Sequence, residues 1–253
     1  MLMNQTIDKL NYMKLFGLIK GLEEQKANPE AHGLSFEERI SLLIDREMAE
    51  RENRQLIRLL KEARLKIPAT LEDLDYNASR GLDRATVAGL SSFDWLEQHH
   101  NIVICGATGT GKTYLSCAFG NGACRKGYRT FYLRLPKLFE ELKMARVDGS
   151  YMRFMARIGR AQLLILDDLG LSALTDAESK DLLEVIEECS GKCAIIVAGQ
   201  LPIENWHQAL GNPTVADAIL DRLVHNSYKF NLKGGSMRRK SMQKQGPNRP
   251  PCD

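Results

Sequence analysis

The stretch NIVICGATGTGKT (residues 101–113) decides the fold of this chain. Its first part is an apolar run typical of a buried strand, and its glycine-rich second part opens a helical pattern. The pattern G-x-x-x-x-G-K-[ST] is complete, with Gly106, Gly111, Lys112 and Thr113 at its fixed positions. A strand, a glycine loop and a helix in this order predict a phosphate-binding loop, because backbone N–H groups and the helix N-terminus face one anion.

Each residue type in this loop has an expected chemical task. Lys112 is expected to bridge the β- and γ-phosphates, and the Thr113 hydroxyl to ligate Mg²⁺. The sequence therefore predicts ATP and Mg²⁺ as cofactors. The predicted ATP contacts are the loop and the start of the next helix, namely Gly106, Ala107, Thr108, Gly109, Thr110, Gly111, Lys112, Thr113 and Tyr114.

A second strand-like run, LLILDDLG (163–170), ends on two adjacent carboxylates. Two such charges are costly to desolvate unless a cation lies beside them. We assign Asp167 to the Mg²⁺ shell, largely through water, and Asp168 to the attacking water as general base. The second assignment supposes an extended chain, which would turn the two side chains to opposite sides. The alternative is a pair of surface acids at a strand end.

Strand-like and helical segments alternate from about residue 100 onward. The strand-like runs are residues 101–106, 130–135, 163–168, 193–199 and 228–232, and the helical segments are 112–126, 136–160, 175–190 and 213–227. This alternation predicts an α/β fold with a central parallel sheet covered by helices on both faces. Helical spacing in residues 6–26 and 35–66 predicts a small all-α domain ahead of the sheet.

The composition argues against several classes of protein. Asp8, Lys9 and Lys14 interrupt the N-terminal apolar residues, so we expect no signal peptide. No apolar run reaches the roughly 20 residues that a membrane span needs, so we expect no membrane partner. The six cysteines lack zinc-ligand spacing and are expected to be mostly buried thiols of a reducing compartment. Together these features predict a cytoplasmic protein.

Residues 125–160 hold a local excess of positive charge. Ten lysines and arginines stand against three acids, a net of +7 in a chain whose net charge is +3. Such a stripe favours sequence-independent contact with the backbone of double-stranded DNA. The candidate contacts are Lys143, Arg146, Arg153 and Arg157. A solvated amphipathic helix is the alternative.

The order of these motifs resembles a known family. The loop at 106–113, LLILDDLG, AGQLP (198–202), DAILDRLVHNSYKF (217–230) and GGSMR (234–238) are similar to AAA+ ATPases of the DnaC and DnaA branch. More closely, they resemble the IstB-type helper ATPases of insertion-sequence transposition. LSFEERISLLIDREMAEREN (34–53) also resembles that family, so the likeness extends to about residue 240.

The resemblance implies further site residues. Gln200 matches the sensor-1 position, and Arg222 matches the arginine finger that completes a neighbouring subunit's site in trans. Arg238 matches the sensor-2 arginine, which contacts ATP. The implied catalytic set is thus Lys112, Asp168, Gln200 and Arg222. The alternative to the finger role is that Arg222 forms an ion pair on the surface of its helix.

The resemblance also implies a function and a domain plan. We expect an ATP-hydrolysing AAA+ protein, stimulated by DNA, that forms an ATP-dependent head-to-tail homo-oligomer on DNA and assists the transposase of its element in target selection or strand transfer. The alternatives are a DnaC-like replicative helicase loader and a small-substrate phosphotransferase. The expected plan is a helical partner- or DNA-interaction domain (1–67), a linker with a short helix (68–99), an AAA+ ATPase domain (100–240) and a basic flexible tail (241–253).

Overall fold

The structure is a computed structural model of the 253-residue chain, and it describes residues 2–76 and 80–237. The chain divides into two compact units, Met1–Arg58 and Leu59–Asp253. The first unit is helical, and the second contains the sheet.

The first unit is built from α1 (Leu2–Tyr12), α2 (Phe16–Ala27), a 3₁₀ turn (Pro29–Gly33) and most of α3 (Phe36–Ala63). The single helical segment expected over residues 6–26 is therefore two helices. The break lies at Lys14, whose φ of 57° is left-handed and ends the first helix. A capping box opens α3, since Ser35 Oγ accepts from Glu38 N at 3.2 Å and Glu38 Oε2 accepts from Ser35 N at 2.8 Å.

A buried carboxylate joins two helices of this unit. Glu47 in α3 accepts hydrogen bonds from Gly17 N at 2.7 Å and Leu18 N at 3.2 Å, at the start of α2. A Cβ at position 17 would lie 2.5 Å from Glu47 Cα, so glycine permits this close approach. Burial acts to raise the pKa of Glu47, but the bonds from Arg51 and the two N–H groups outweigh it and lower that pKa.

The second unit contains five strands: β1 (Asn101–Gly106), β2 (Thr130–Arg134), β3 (Leu163–Leu169), β4 (Ala194–Gly199) and β5 (Ser227–Leu232). Their order across the sheet is β2-β3-β4-β1-β5, and every neighbouring pair is parallel. The predicted central parallel sheet is thus confirmed.

Eight helices of the described chain accompany the sheet: α4 (Arg84–Leu90), α5 (Asp94–Glu97), α6 (Lys112–Arg125), α7 (Leu135–Val147), α8 (Tyr151–Ile158), α9 (Asp176–Cys189), α10 (Trp206–Leu210) and α11 (Pro213–Val224). The single helix expected over residues 136–160 is two helices. Gly149 separates them with a φ of +75°, and Asp148 accepts a hydrogen bond from Ser150 N across the turn.

Alternate residues of each strand pack into two different cores. In β1, Ile102 and Ile104 join the core under α6, whereas Val103 and Cys105 join the core under α7, α9 and α11. Both faces of the sheet are therefore covered, which explains the nearly continuous apolar strands.

The five described cysteines are buried, as expected, and Cys252 lies outside the described residues. Of the helices that can be described, none is long and apolar enough to cross a bilayer.

We expect Glu47→Ala to destabilise the helical unit by about 2 kcal/mol, because two N–H groups lose a charged partner. Since the pKa of Glu47 is lowered, this stabilisation is present at neutral pH and is lost as the pH falls through the folded-state pKa. Amide hydrogen exchange in α2 measures the effect. Glu52→Ala, an exposed position of the same helix, is the control. Equal protection in both variants would refute this account of Glu47.

Candidate nucleotide site

The glycine loop lies between the end of β1 and the start of α6, at the carboxyl edge of the sheet. Gly106 has a φ of +150°, and a Cβ there would lie 2.3 Å from the Leu232 carbonyl oxygen. Gly111 has a φ of +98°, and a Cβ there would lie 2.6 Å from Arg80 Nη2. Both positions therefore require glycine for conformation and for space.

Lys112 lies inside the loop that it follows. Its Nζ donates to the carbonyl oxygens of Gly106 at 2.7 Å and Ala107 at 2.9 Å, and only 8% of the residue is exposed. Burial lowers the pKa of Lys112, while Asp167 and Asp168 act in the opposite direction. The loop thus holds a cation at its centre.

Asp167 is the most connected group of the site. It is 1% exposed, and its Oδ2 accepts from Thr113 Oγ1 and from the Tyr132 hydroxyl, each at 2.7 Å. Its Oδ1 accepts from Asp168 N at 2.9 Å. A hydroxyl beside a carboxylate supplies the hard oxygen donors that Mg²⁺ prefers, so the residues present fit this ion.

Tyr132 was not found by sequence reasoning. Burial, followed by the nearby Asp167 carboxylate, raises the pKa of Tyr132 far above its ordinary value. Its hydroxyl therefore stays protonated and donates to Asp167. The only sequence signal was a tyrosine in the strand before LLILDD, and its relevance depends on the pairing of β2 with β3.

The backbone at Asp168 departs from the extended conformation that was assumed. Its φ is +70°, and the register between β3 and β4 shifts between Leu166 and Leu169. The assumption of an extended chain is therefore wrong, because a β-bulge turns the chain at this point. Asp168 Oδ2 accepts from Arg134 Nε at 2.5 Å. Arg134, at the end of β2, was also missed as a partner.

The site residues share one cleft of about 450 Å³. Its lining comes from the loop, from α6, from the ends of two strands, from the segment after α3 and from a residue after β5. It consists of Lys66, Ile67, Thr108, Gly109, Gly111, Lys112, Thr113, Tyr114, Asp168, Gln200 and Met237. Gln200 Oε1 accepts from Thr108 Oγ1 at 3.0 Å, which joins the end of β4 to the loop. Thr110 is instead buried behind the loop, where Oγ1 donates to Ala107 O at 2.8 Å.

Two contacts hold the loop from outside. The buried Arg80 donates through Nη2 to Thr110 O at 2.9 Å and through Nη1 to Asp75 O at 2.6 Å. Met237 N donates to Gly109 O at 2.9 Å. No sequence motif marked Arg80. Arg238, the expected sensor-2 arginine, lies outside the described residues.

Arg222 lies at the opposite edge of the sheet from the cleft. Its carbonyl oxygen accepts from Asn101 Nδ2 at 2.8 Å, and Asn101 is the first residue of β1, whereas the loop follows the last. A strand of this length spans about 17 Å. The Arg222 guanidinium donates to Glu187 Oε1 at 3.0 Å and is 35% exposed.

The four candidate DNA contacts lie in different surroundings. Arg146 forms a two-point ion pair with Asp181, at 2.9 and 2.5 Å, and stacks on Tyr151. The Arg157 guanidinium lies 4.0 Å from the centre of the Phe131 ring. Lys143 and Arg153 are exposed. The structure therefore does not gather the four into one group.

Comparison with solved structures supports the fold. DnaA from Aquifex aeolicus bound to AMPPCP is similar over 72% of this chain and 55% of that chain, with 20% identity and a TM-score of 0.58. The DnaC helicase loader is similar over 65% of this chain and 97% of that chain, with 21% identity and a TM-score of 0.54. At this identity the likeness shows the fold alone, that of AAA+ P-loop proteins.

Relatives at higher identity are proteins of insertion sequences. The chain is 46% identical over 244 residues to the insertion sequence ATP-binding protein y4pL of Sinorhizobium fredii, covering 96% of this chain and all of the relative. It is also 46% identical over 203 residues to the IS1162 ATP-binding protein of Pseudomonas fluorescens, covering 80% of this chain and 88% of the relative. The family model described as IstB-like ATP binding protein matches residues 8–245. The chain therefore belongs to the IstB-like ATP binding proteins of insertion sequences.

Proposed function

We propose that this chain binds and hydrolyses ATP and uses that cycle to assist the transposase of its insertion sequence. The observation that carries the proposal is the convergence of Lys112, Thr113, Asp168 and Gln200 on one cleft, with Asp167 fixed against Thr113. Membership of the IstB-like family and the names of the relatives support the same assignment.

The residues of the cleft divide the chemistry among them. Lys112 Nζ exchanges the carbonyl oxygens of Gly106 and Ala107 for the β- and γ-phosphate oxygens of ATP. Thr113 and Asp167 hold Mg²⁺. When bound, that ion neutralises the charge that develops on the phosphates.

Asp168 serves as the general base for the attacking water. Arg134 occupies Oδ2 of Asp168, so the proton is accepted at the other carboxylate oxygen or after this ion pair opens. Gln200, held by Thr108, orients the water from the other wall of the cleft. Gln200 and Asp168 thus act on the same attacking water from two walls of the cleft.

Arg222 acts in a neighbouring subunit. Its position at the far edge of the sheet and its partial exposure support this role, because it cannot reach the cleft of its own chain. Contacts of this kind are heterologous and generate a ring or an open helix of subunits. Joining a neighbour exchanges the ion pair with Glu187 for contact with the neighbour's nucleotide.

Double-stranded DNA is the proposed scaffold of this assembly, and contact with it stimulates turnover. The basic segment 125–160 supports contact with a phosphate backbone.

A helicase-loader function is the second candidate, favoured by the fold likeness to the DnaC helicase loader over nearly all of that chain. A pull-down with the transposase of the element and with the replicative helicase separates the two, and capture of helicase alone would overturn the first.

We expect Asp168→Asn to reduce the turnover of ATP by at least about 100-fold while nucleotide affinity changes little, because the base is lost and the loop is intact. Lys112→Ala should instead weaken nucleotide binding. Steady-state hydrolysis and titration with a fluorescent ATP analogue measure the two effects. Normal turnover by Asp168→Asn would show that another group accepts the proton.

Tyr132→Phe is expected to weaken Mg²⁺ activation by roughly 10- to 100-fold, because Asp167 loses a donor that fixes its orientation. The Mg²⁺ dependence of hydrolysis is the measurement. Tyr128→Phe is the matched control, since its hydroxyl donates to Glu97 on the surface. An unchanged Mg²⁺ midpoint in Tyr132→Phe would remove Tyr132 from the site.

Arg222→Ala should lower turnover by about 1,000-fold in the pure variant. Mixing it with Lys112→Ala should restore part of the activity, because one variant supplies intact loops and the other supplies intact fingers. Lys180→Ala, another exposed cation in an ion pair and outside the basic segment, is the control. If the mixture stays as inactive as its components, Arg222 does not act across a subunit boundary.

A further inference from the structure

A second cavity, of about 360 Å³, lies at the amino edge of the sheet, beside the starts of β2 and β3. It is lined by four arginines and four other residues, namely Arg129, Arg153, Arg157, Arg160, Glu62, Thr130, Phe131 and Ala161. We call Arg129, Arg153, Arg157 and Arg160 the arginine cluster. Its members come from α8, from the turn after α8 and from the residue before β2.

The positive charge of the arginine cluster exceeds the negative charge beside it, since Glu62 is the one acid among the residues that line the cavity. Within the described residues, none of its four guanidinium groups has a carboxylate oxygen within 4 Å, in contrast to Arg146 with its partner Asp181. Burial, followed by repulsion from Arg64, lowers the pKa of Arg157, while the Glu141 and Glu62 carboxylates act in the opposite direction. Gathering like charges in this way opposes folding, so it favours a function that needs an anion.

The spacing of the arginines favours a nucleic-acid backbone over a single anion. Arg153 and Arg157 lie one helical turn apart on α8, a rise of about 6 Å, so their side chains can contact neighbouring phosphates of one strand. Arg129 and Arg160 add positive charge to the same cavity from other elements. A repeating anion therefore fits the cluster better than a single phosphate does.

The lining also favours a duplex over a single strand. Phe131 is the one aromatic residue of the lining, and it is 3% exposed with the Arg157 guanidinium over its ring. Proteins that hold single strands stack the bases on exposed aromatic rings, and this cavity offers none. Guanidinium groups without exposed rings beside them suit a backbone whose bases are already paired.

We propose that the arginine cluster is the site at which this chain holds the phosphate backbone of double-stranded DNA. The inference deepens the proposed function and rests on it. It replaces the set of DNA contacts predicted from the sequence. Arg146 is ion-paired with Asp181, whereas Arg129 and Arg160 line the same cavity as Arg153 and Arg157.

The location predicts that DNA contact and nucleotide binding can be separated. The arginine cluster lies at the start of β2, and the cleft lies beyond its end, a distance of about 13 Å along the strand. Changes in the cluster should therefore leave the intrinsic nucleotide affinity unaltered, which also serves as a test of correct folding.

The test uses the full chain with a slowly hydrolysed ATP analogue and a fluorescent duplex oligonucleotide of arbitrary sequence. Arg153→Glu combined with Arg160→Glu should weaken duplex binding by at least about 10-fold and reduce the slope against log salt by about 2. Nucleotide affinity should stay unchanged. Lys180→Glu combined with Lys192→Glu changes the net charge equally at exposed positions elsewhere and should bind as the wild type does.

The outcomes separate a failure of the proposed function from a failure of the inference about the arginine cluster. If the wild type fails to bind duplex, the proposed function itself is wrong. If the wild type binds and the cluster variant binds equally well, the backbone is held elsewhere and the inference fails. Preference of the wild type for single strands would also overturn it. Arg129→Gln, on a different element, repeats the test if the double variant fails to fold, and it should weaken duplex binding too.

Discussion

The hydrogen bonds onto Asp167 are the interaction on which the nucleotide site depends. A carboxylate that is 1% exposed is costly to bury without partners, and three donors from α6, β2 and its own neighbour supply them. These bonds fix Thr113 against the end of β3 and bind the start of α6 to the sheet. The bond from Asp168 N also accompanies the turn that sends the next side chain into the cleft.

Much of the fold could be predicted from sequence because its signals are local. Apolar runs and glycines located the five strands, and the motif at 106–113 located the loop. Tyr132 and Arg134 could not be found, because their contacts with Asp167 and Asp168 exist only once β2 pairs with β3. The alternation of segments does not specify which strands are neighbours. The turns at Lys14 and Gly149 were also missed, since a helical period continues across each of them.

The charge of the basic segment shows a different limit of sequence reasoning. Counting residues gives an excess, but it does not tell which cations are compensated from elsewhere in the chain. Asp181 and Glu184, both on α9, approach Arg146, while the arginine cluster has no such partner among the described residues. Tertiary structure therefore divides one basic stripe into a structural part and a part open to an external anion.

The left-handed backbone at Asp168 limits how this position can evolve. Glycine, asparagine and aspartate reach such a φ readily, whereas β-branched and bulky residues do so at a cost. Of these three, only aspartate carries a carboxylate. A lineage that keeps this bulge is therefore restricted to the short acid at the position proposed for the general base. If Asp168 is the base, loss of ATP hydrolysis should proceed through asparagine or glycine, which keep this backbone conformation and lack the carboxylate.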